Sequence, residues 1–272
     1  MRNALVIAVA VGLFGLSGHS AFAQEASPPA CVAQRQADRI QEAKDLVILN
    51  RILAEFEAKG FSALETRLND LKAILERAPA HPVSECNGSV YVRAHTAAET
   101  LTAAMVGVAK DKDNGGRRAV VVDGPSPYAV AAFLLGSAAV ERSDWVGADA
   151  VMKRGLEIDP GHVPMVGEEA LVLSHLGRPA DAVALCDQAI VGNAFLDKRS
   201  RARLLRGKGF ALGDLGRFDE AIAAYQESLT FEPDHGGAMN EIAYLKKRKA
   251  GAPGIPDATF HYDQAKTLKP QN

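Results

Sequence analysis

The chain has 272 residues, of which 47% are hydrophobic and 24% are charged, and its formal net charge is −2. This length accommodates one large or two small domains, and the composition is that of an ordinary globular protein. So weak a net charge argues against nucleic acid as the main partner, because phosphate binding needs a broad basic surface. Only the N-terminus departs from this composition.

The N-terminus has the pattern of a secretory signal peptide. Arg2 supplies a positive charge, residues 4–16 are uncharged and largely apolar, and Ala21-Phe22-Ala23 is an A-x-A cleavage site. The apolar run is about 13 residues, and a helix needs roughly 20 to span hydrocarbon. We therefore expect cleavage after Ala23, a periplasmic or secreted location of bacterial type, and a mature protein without a membrane span.

The N-terminal half is predicted to be helical. Residues 24–33 are interpreted as a spacer and residues 34–118 as an N-terminal helical region, in which two helices separated by Gly60 form an antiparallel hairpin. The apolar seams of the two helices are expected to face each other, and self-association through a seam is the alternative. Residues 89–110 are a candidate for a third helix, and residues 123–127 are a break. The seam residues are Ile40, Ala43, Leu46, Leu49, Leu53 and Phe56 in the first helix and Phe61, Leu64, Leu68, Leu71 and Leu75 in the second.

The three cysteines are Cys31, Cys86 and Cys186, and their spacing matches no zinc-ligand pattern. The predicted hairpin begins near Cys31 and ends shortly before Cys86, so it brings both residues to one end. We therefore predict a disulfide between them, which an oxidising compartment permits. Cys186 takes the place of a large core residue in the repeat pattern below and is predicted to be a buried thiol.

A residue pattern recurs in the C-terminal half. An early Gly is followed by an aromatic residue after a turn, an Ala three residues on, a large residue four further on, and a Pro. Ala148 and Ala182, in successive copies, are 34 residues apart. The outer copies have Gly136, Trp145, Ala148, Met152 and Pro160, and Gly209, Phe218, Ala221, Tyr225 and Pro233, and a degenerate middle copy has Ala170, Ala182 and Cys186.

This pattern resembles the tetratricopeptide repeat, a unit of about 34 residues in two antiparallel helices. The resemblance covers residues 127–250, including a capping helix, and residues 251–272 are interpreted as a loose tail. It implies an all-α fold, in which an α-solenoid of helical hairpins is preceded by the N-terminal helical hairpin.

The resemblance also implies a binding groove, because the first helix of each repeat lines the concave face in that family. The implied groove residues are Phe133, Ser137 and Glu141 in the first repeat, Leu171 and His175 in the second, and Arg203, Arg206 and Phe210 in the third. Six cations lie between Lys198 and Lys208, so the expected partner is a protein or peptide that offers acidic groups. The alternative is that these cations form a solvated basic face.

Patterns for catalysis, metals and cofactors are missing from the sequence. It has no H-E-x-x-H, no G-x-S-x-G and no Gly-rich phosphate loop. A calcium loop starting at Asp111 would place Val122 where a bidentate acid is required, and His95 with Glu99 offers only two metal ligands. We therefore predict no catalytic residue, no metal and no cofactor.

The function indicated is a scaffold or adaptor that binds a segment of a cell-envelope protein through its concave groove. Two alternatives stay open. One is an enzyme or enzyme subunit with a site in residues 80–127, and the other is a structural module whose groove is filled by its own tail, with Phe260 and Tyr262 as plugs.

Overall fold

The computed structural model describes residues 29–80, 84–97, 99–101, 103, 105, 119–193 and 196–253. The predicted signal peptide, the turn at Asp111, and the tail residues Phe260 and Tyr262 lie outside these residues. Two helices come first, α1 (Ala30–Lys59) and α2 (Phe61–Glu76), followed by strands β1 (Glu85–Cys86), β2 (Ser89–Arg93) and β3 (Ala119–Asp123). The helices after the sheet are α3 (Pro127–Glu141), α4 (Trp145–Ile158), α5 (Val163–His175), α6 (Pro179–Gly192), α7 (Lys198–Asp214), α8 (Phe218–Phe231) and α9 (Gly236–Lys249).

The helices from α3 onwards form a stack of antiparallel hairpins. Helix α3 packs on α4, α5 on α6, and α7 on α8, while each hairpin also packs on the next and α9 covers α8. Helix α2 lies against α3 in the way that the second helix of one hairpin meets the first helix of the next. The predicted helical solenoid preceded by a helical hairpin is confirmed. No helix in the described part of the chain combines the length and the apolar character needed to cross a membrane.

Two glycines allow the helices of a hairpin to approach closely. A Cβ atom on Gly136 would lie 2.6 Å from the side chain of Met152, and one on Gly209 would lie 2.8 Å from the ring of Tyr225. Met152 and Tyr225 are both buried. The early glycine of the repeat therefore leaves space that the large residue of the second helix fills.

The tight turns within the hairpins need a left-handed backbone. Gly177 and Gly216 both have φ of 72°, as expected for the residue that follows the first helix of each hairpin. In the first hairpin Ser143, with φ of 58°, supplies the left-handed conformation. The turn is thus kept even where the sequence lacks glycine.

The close approach at Gly209 generates a test of the packing. Gly209→Ala is expected to lower the free energy of unfolding by about 1–3 kcal/mol, because its methyl group overlaps the buried Tyr225 ring. Gly192→Ala is the matched control, since a Cβ there meets nothing within 4 Å. Both variants would be compared with the wild type by urea denaturation, and an unchanged midpoint for Gly209→Ala would contradict the packing described.

The N-terminal hairpin differs from the prediction in its first half. Helix α1 has 30 residues and α2 has 16, so α2 can cover only part of α1. Leu49 and Phe56 are buried as predicted, but Ile40 is 51% exposed and Leu46 is 38% exposed. Ala43 is exposed as well. The prediction that two full apolar seams face each other is therefore wrong for the N-terminal half of α1.

Ion pairs hold that half of α1 instead. The Arg35 guanidinium pairs with Asp123 at the end of β3 and lies over the Tyr91 ring of β2, 4.7 Å from its centroid. Glu42 accepts a hydrogen bond from Arg93 of β2 at 2.5 Å. Asp45, fully buried, accepts from Arg77 at 2.5 Å. Because breaking a buried pair leaves an uncompensated charge, such contacts permit few substitutions.

Residues 89–93 form a strand, which corrects two predictions. Strand β2 pairs antiparallel with β1 and parallel with β3, in the order β1-β2-β3. The third helix proposed over 89–110 is wrong at its start, and the helical assignment of 34–118 is wrong for this stretch. Alternating β-branched and aromatic residues in Ser-Val-Tyr-Val-Arg favour a strand. The spacer assigned to 24–33 is also too long, since α1 begins at Ala30.

The disulfide between Cys31 and Cys86 is confirmed. It joins the first turn of α1 to β1, with the two Cα atoms 5.8 Å apart. Cys186 is a free thiol that is fully buried among the helices of the second and third hairpins, and burial raises its pKa to about 12. Both cysteine predictions thus agree with the structure.

Removal of this disulfide is expected to destabilise the fold strongly. The bonded cysteines are 55 residues apart, and the chain-entropy relation gives about 4 kcal/mol for a loop of that length. The double variant Cys31→Ala/Cys86→Ala would be compared with wild type by guanidinium denaturation, with Cys186→Ala as the control that keeps the bond. A count of three free thiols in the denatured, non-reduced wild-type protein would show that the bond is absent.

Candidate functional site

A cavity of about 280 Å³ lies between α5, α7 and α9, which are the first helices of the second and third hairpins and the capping helix. Glycines on each of the three helices make room for it. Its apolar lining comes from Leu171, Phe210 and Tyr225. Its polar lining comes from Glu168, Arg203, Arg206, His235, Asn240 and Glu241. A space of this size admits a large side chain of a partner.

The structure brings together half of the predicted groove residues. Leu171, Arg203, Arg206 and Phe210 line the same cavity. They come from two different hairpins, and they meet because α5 and α7 pack side by side. These four predicted residues therefore share one cavity, and their role in binding stays a prediction.

The other predicted groove residues lie elsewhere. Ser137 is only 2% exposed and is packed inside the first hairpin. The prediction that it belongs to the binding surface is therefore wrong. The Phe133 ring lies 5.3 Å from the ring of His162, and the ring of His175 stacks on Trp145 at 3.9 Å. Glu141 is exposed at the last position of α3. None of these four residues lines the cavity between α5, α7 and α9.

The cations of α7 do not act as one basic stripe. Arg206, whose side chain is 11% exposed, donates to Glu232 at 2.6 Å, and Lys208 donates to Asp187 at 2.7 Å. Arg203 makes no ion pair with any residue of the described chain, and its aliphatic part lies over Gly167. Arg203 is therefore the groove cation that is available for a partner.

The third hairpin matches a known family of helical repeats. The sequence model of the tetratricopeptide repeat matches residues 202–235, which run from the first turns of α7 through α8. The chain contains a tetratricopeptide repeat. The match coincides with one of the two hairpins in which the early glycine lies directly against the large residue of the repeat.

Similar proteins cover part of this repeat protein. Hsp70-Hsp90 organizing protein 1 of Glycine max is 26% identical over 166 residues, which is 50% of this chain and 29% of that protein. The chain thus spans less than a third of this curated relative. Among solved structures, the first TPR domain of human RPAP3 is 23% identical with a TM-score of 0.41, covering 45% of this chain and 93% of that one. The Sgt2 TPR domain of Aspergillus fumigatus is 19% identical with a TM-score of 0.42, covering 50% and 94%.

Sequence reasoning missed the residues that the capping helix adds to the cavity. His235, Asn240 and Glu241 come from the start of α9, and Tyr225, a core residue of the repeat, also reaches the cavity. The repeat length contains the signal that would have identified these residues. A step of 34 residues, the spacing of the tetratricopeptide repeat, carries Gly207 onto Glu241 and so places α9 in register with α7.

A second polar cluster joins residues 80–127, the alternative location of an enzyme site, to later helices. Nε2 of His95 is 2.8 Å from a carboxylate oxygen of Asp159, and Nδ1 is 3.2 Å from Glu99. Glu99 also accepts a hydrogen bond from the Asn193 amide at 2.9 Å. Carboxylates hold both ring nitrogens, so neither is placed to act as a base. The cluster ties the segment after β2 to the ends of α4 and α6, and no metal-binding group of three His, Cys, Asp or Glu occurs among the described residues.

The His95 cluster predicts a pH dependence of stability. The hydrogen bond to Asp159 is the main reason that the pKa of His95 is raised above its usual value, while burial opposes it. A raised folded pKa contributes stability that is fully present below the unfolded pKa of about 6.5 and is lost as pH rises through the folded value. His95→Gln should therefore lower the unfolding free energy on the order of 1 kcal/mol more at pH 6 than at pH 9.

The matched control for this variant is Asn193→Ala, which removes an uncharged member of the same cluster. Its cost should be similar at the two pH values. Asp159, Glu99 and His162 are the titratable groups that act on the imidazole, and Arg93 acts on Asp159. A cost of His95→Gln that rises between pH 6 and pH 9 would mean that the ring is held in its neutral form.

Proposed function

We propose that this protein is an exported adaptor that holds a segment of a cell-envelope protein in the groove between α5, α7 and α9. The observation that carries the proposal is the cavity in that groove, where Leu171 and Phe210 provide apolar surface directly beside Arg203. An apolar anchor that fills a pocket, with a charge pair at its rim, is the usual composition of a binding hot spot.

The chemistry of Arg203 indicates what the segment offers next to its anchor. A guanidinium donates two parallel hydrogen bonds to a carboxylate, so an acidic side chain of the partner fits there. Arg206 is a poorer candidate because Glu232 already accepts its hydrogen bond. The groove should thus contribute one strong charged contact rather than a basic stripe.

Two observations support export. Residues 1–23 have the pattern of a cleavable signal, and a disulfide such as the one between Cys31 and Cys86 persists in oxidising compartments. Together they favour a location outside the cytoplasm, where the partners would be envelope proteins.

Binding is favoured over catalysis by the described part of residues 80–127. The histidine there, His95, is held by Asp159 and Glu99 in a structural role.

Self-association remains a second candidate activity, supported by the exposed apolar residues Ile40 and Val47 on α1. Sedimentation of the mature protein would test it.

The partner can be captured with a photo-crosslinking residue placed at Phe210, in cells and with the signal intact. A crosslinker at Gln226, which is exposed on α8, is the control for the opposite face of the hairpin. A protein captured from Phe210 and absent from Gln226 is the expected result. Capture at Gln226 alone would place the binding surface on the outer helices.

Titration of the captured partner then separates the two contacts. Phe210→Ala should weaken binding about tenfold or more at every salt concentration, because it removes apolar area. Arg203→Gln should weaken binding and also flatten its salt dependence, because it removes a charge pair. Arg206→Ala is expected to lower stability, since it leaves Glu232 without its cation. Equal affinities of wild type, Phe210→Ala and Arg203→Gln would refute the groove.

A further inference from the structure

The two ends of the cavity carry opposite charge. Arg203 and Arg206 lie in the first half of α7, near His235, which caps the start of α9. The His235 side chain accepts a hydrogen bond from the Ala238 backbone N–H. Burial lowers the pKa of His235, and the nearby Arg206 and Arg203 lower it further. Because Glu232 pairs with Arg206, the positive charge of this end comes from Arg203 and from the N-terminus of α9.

The other end is acidic. Glu241 lines the cavity from the second turn of α9, and Asp214 is the last residue of α7. Burial raises the pKa of Glu241, and the nearby Asp214 carboxylate raises it further. Two carboxyl groups within electrostatic reach of each other form a place where a cation would be favoured. Glu168, a third carboxyl in the lining, is only 6% exposed.

The separation of the two ends suits a short extended segment. Arg203 lines the cavity, and Asp214, which acts on Glu241 from outside the lining, lies eleven residues further along α7, a rise of about 16 Å. An extended chain covers that distance in about five residues. Leu171 and Phe210 lie in the same lining and offer a seat for one apolar side chain between the charged ends.

Resting on the adaptor function above, we propose that the groove selects a partner segment of mixed charge. The segment carries one large apolar side chain, an acidic residue on the side that faces Arg203, and a basic residue on the side that faces Glu241. A uniformly acidic segment would place a carboxylate against Glu241 and Asp214, and a uniformly basic one would place a cation against Arg203. Both are disfavoured because a like charge at a partly buried contact is repelled.

Four labelled ten-residue peptides test this inference against the full mature protein. Three share a central Phe and differ only in the flanking residues, which are acidic on one side and basic on the other, acidic on both sides, or basic on both sides. The fourth is the mixed peptide with Ala in place of Phe. Wild type should bind the mixed peptide at least tenfold more tightly than each of the other three in fluorescence anisotropy at low salt.

Charge reversal supplies the decisive comparison. Glu241→Lys should make the doubly acidic peptide the tightest ligand, and Glu241→Gln should reduce the preference for the mixed peptide to a few-fold. Glu227→Lys is the matched control, because it makes the same charge change at an exposed position of α8 and should keep the wild-type order. Thermal unfolding of each variant would show that the fold is retained.

The outcomes separate the inference from the function on which it rests. If wild type binds the doubly acidic peptide as tightly as the mixed one, and still needs the central Phe, the groove stands and the mixed-charge selection is wrong. If no peptide binds, or if the central Phe makes no difference, the groove function and the inference both fail.

Discussion

The close approach of paired helices at small residues is the constraint on which the rest of this structure depends. Gly136 and Gly209 leave no room for a methyl group, because Met152 and Tyr225 occupy the space that a side chain would need. Gly155 shows the same contact between successive hairpins, since a Cβ there would lie 2.5 Å from the sulfur of Met165. These contacts set the distance between helices and hence the spacing of everything the hairpins carry.

The groove is a consequence of that spacing. When hairpins stack at a fixed distance, their first helices lie side by side and residues far apart in sequence face one another. Leu171, Phe210 and Glu241 meet at one cavity in this way, although each belongs to a different helix. The packing of the second helices behind them keeps the cavity lining in place, so the surface is preformed.

The repeat was predictable because its physical signals are local. A small residue opposite a large one, a turn at Gly216 and a Pro that ends a helix can each be read within one unit of 34 residues. Four of the eight predicted groove residues share one cavity because they follow this register, and the same register extended by one unit reaches the lining residues of α9. Ser137 was misplaced because helical spacing alone does not say which neighbour covers a face.

The structure of the N-terminal region was less predictable because it depends on ion pairs between residues that are far apart in the sequence. The apolar residues of α1 indicated a seam, yet Ile40 is exposed, while the buried contacts of that half are made by charged groups. The partners of Arg35 and Glu42 come from β3 and β2, more than fifty residues away. No local pattern reports which cation pairs with which carboxylate. The strands were equally hidden, since β2 and β3 pair in parallel across a long insertion.

Those charged contacts also determine the register of α1. An apolar seam tolerates sliding, because one methyl group can replace another at nearly the same energy. Arg35, Glu42 and Asp45 each need a specific partner, on β3, on β2 and after α2 respectively. A shift of the helix by one turn, about 5.4 Å, would separate all three charges from their partners at once. Three specific ion pairs therefore fix the position of α1, and only one placement of the helix on the rest of the molecule satisfies all of them.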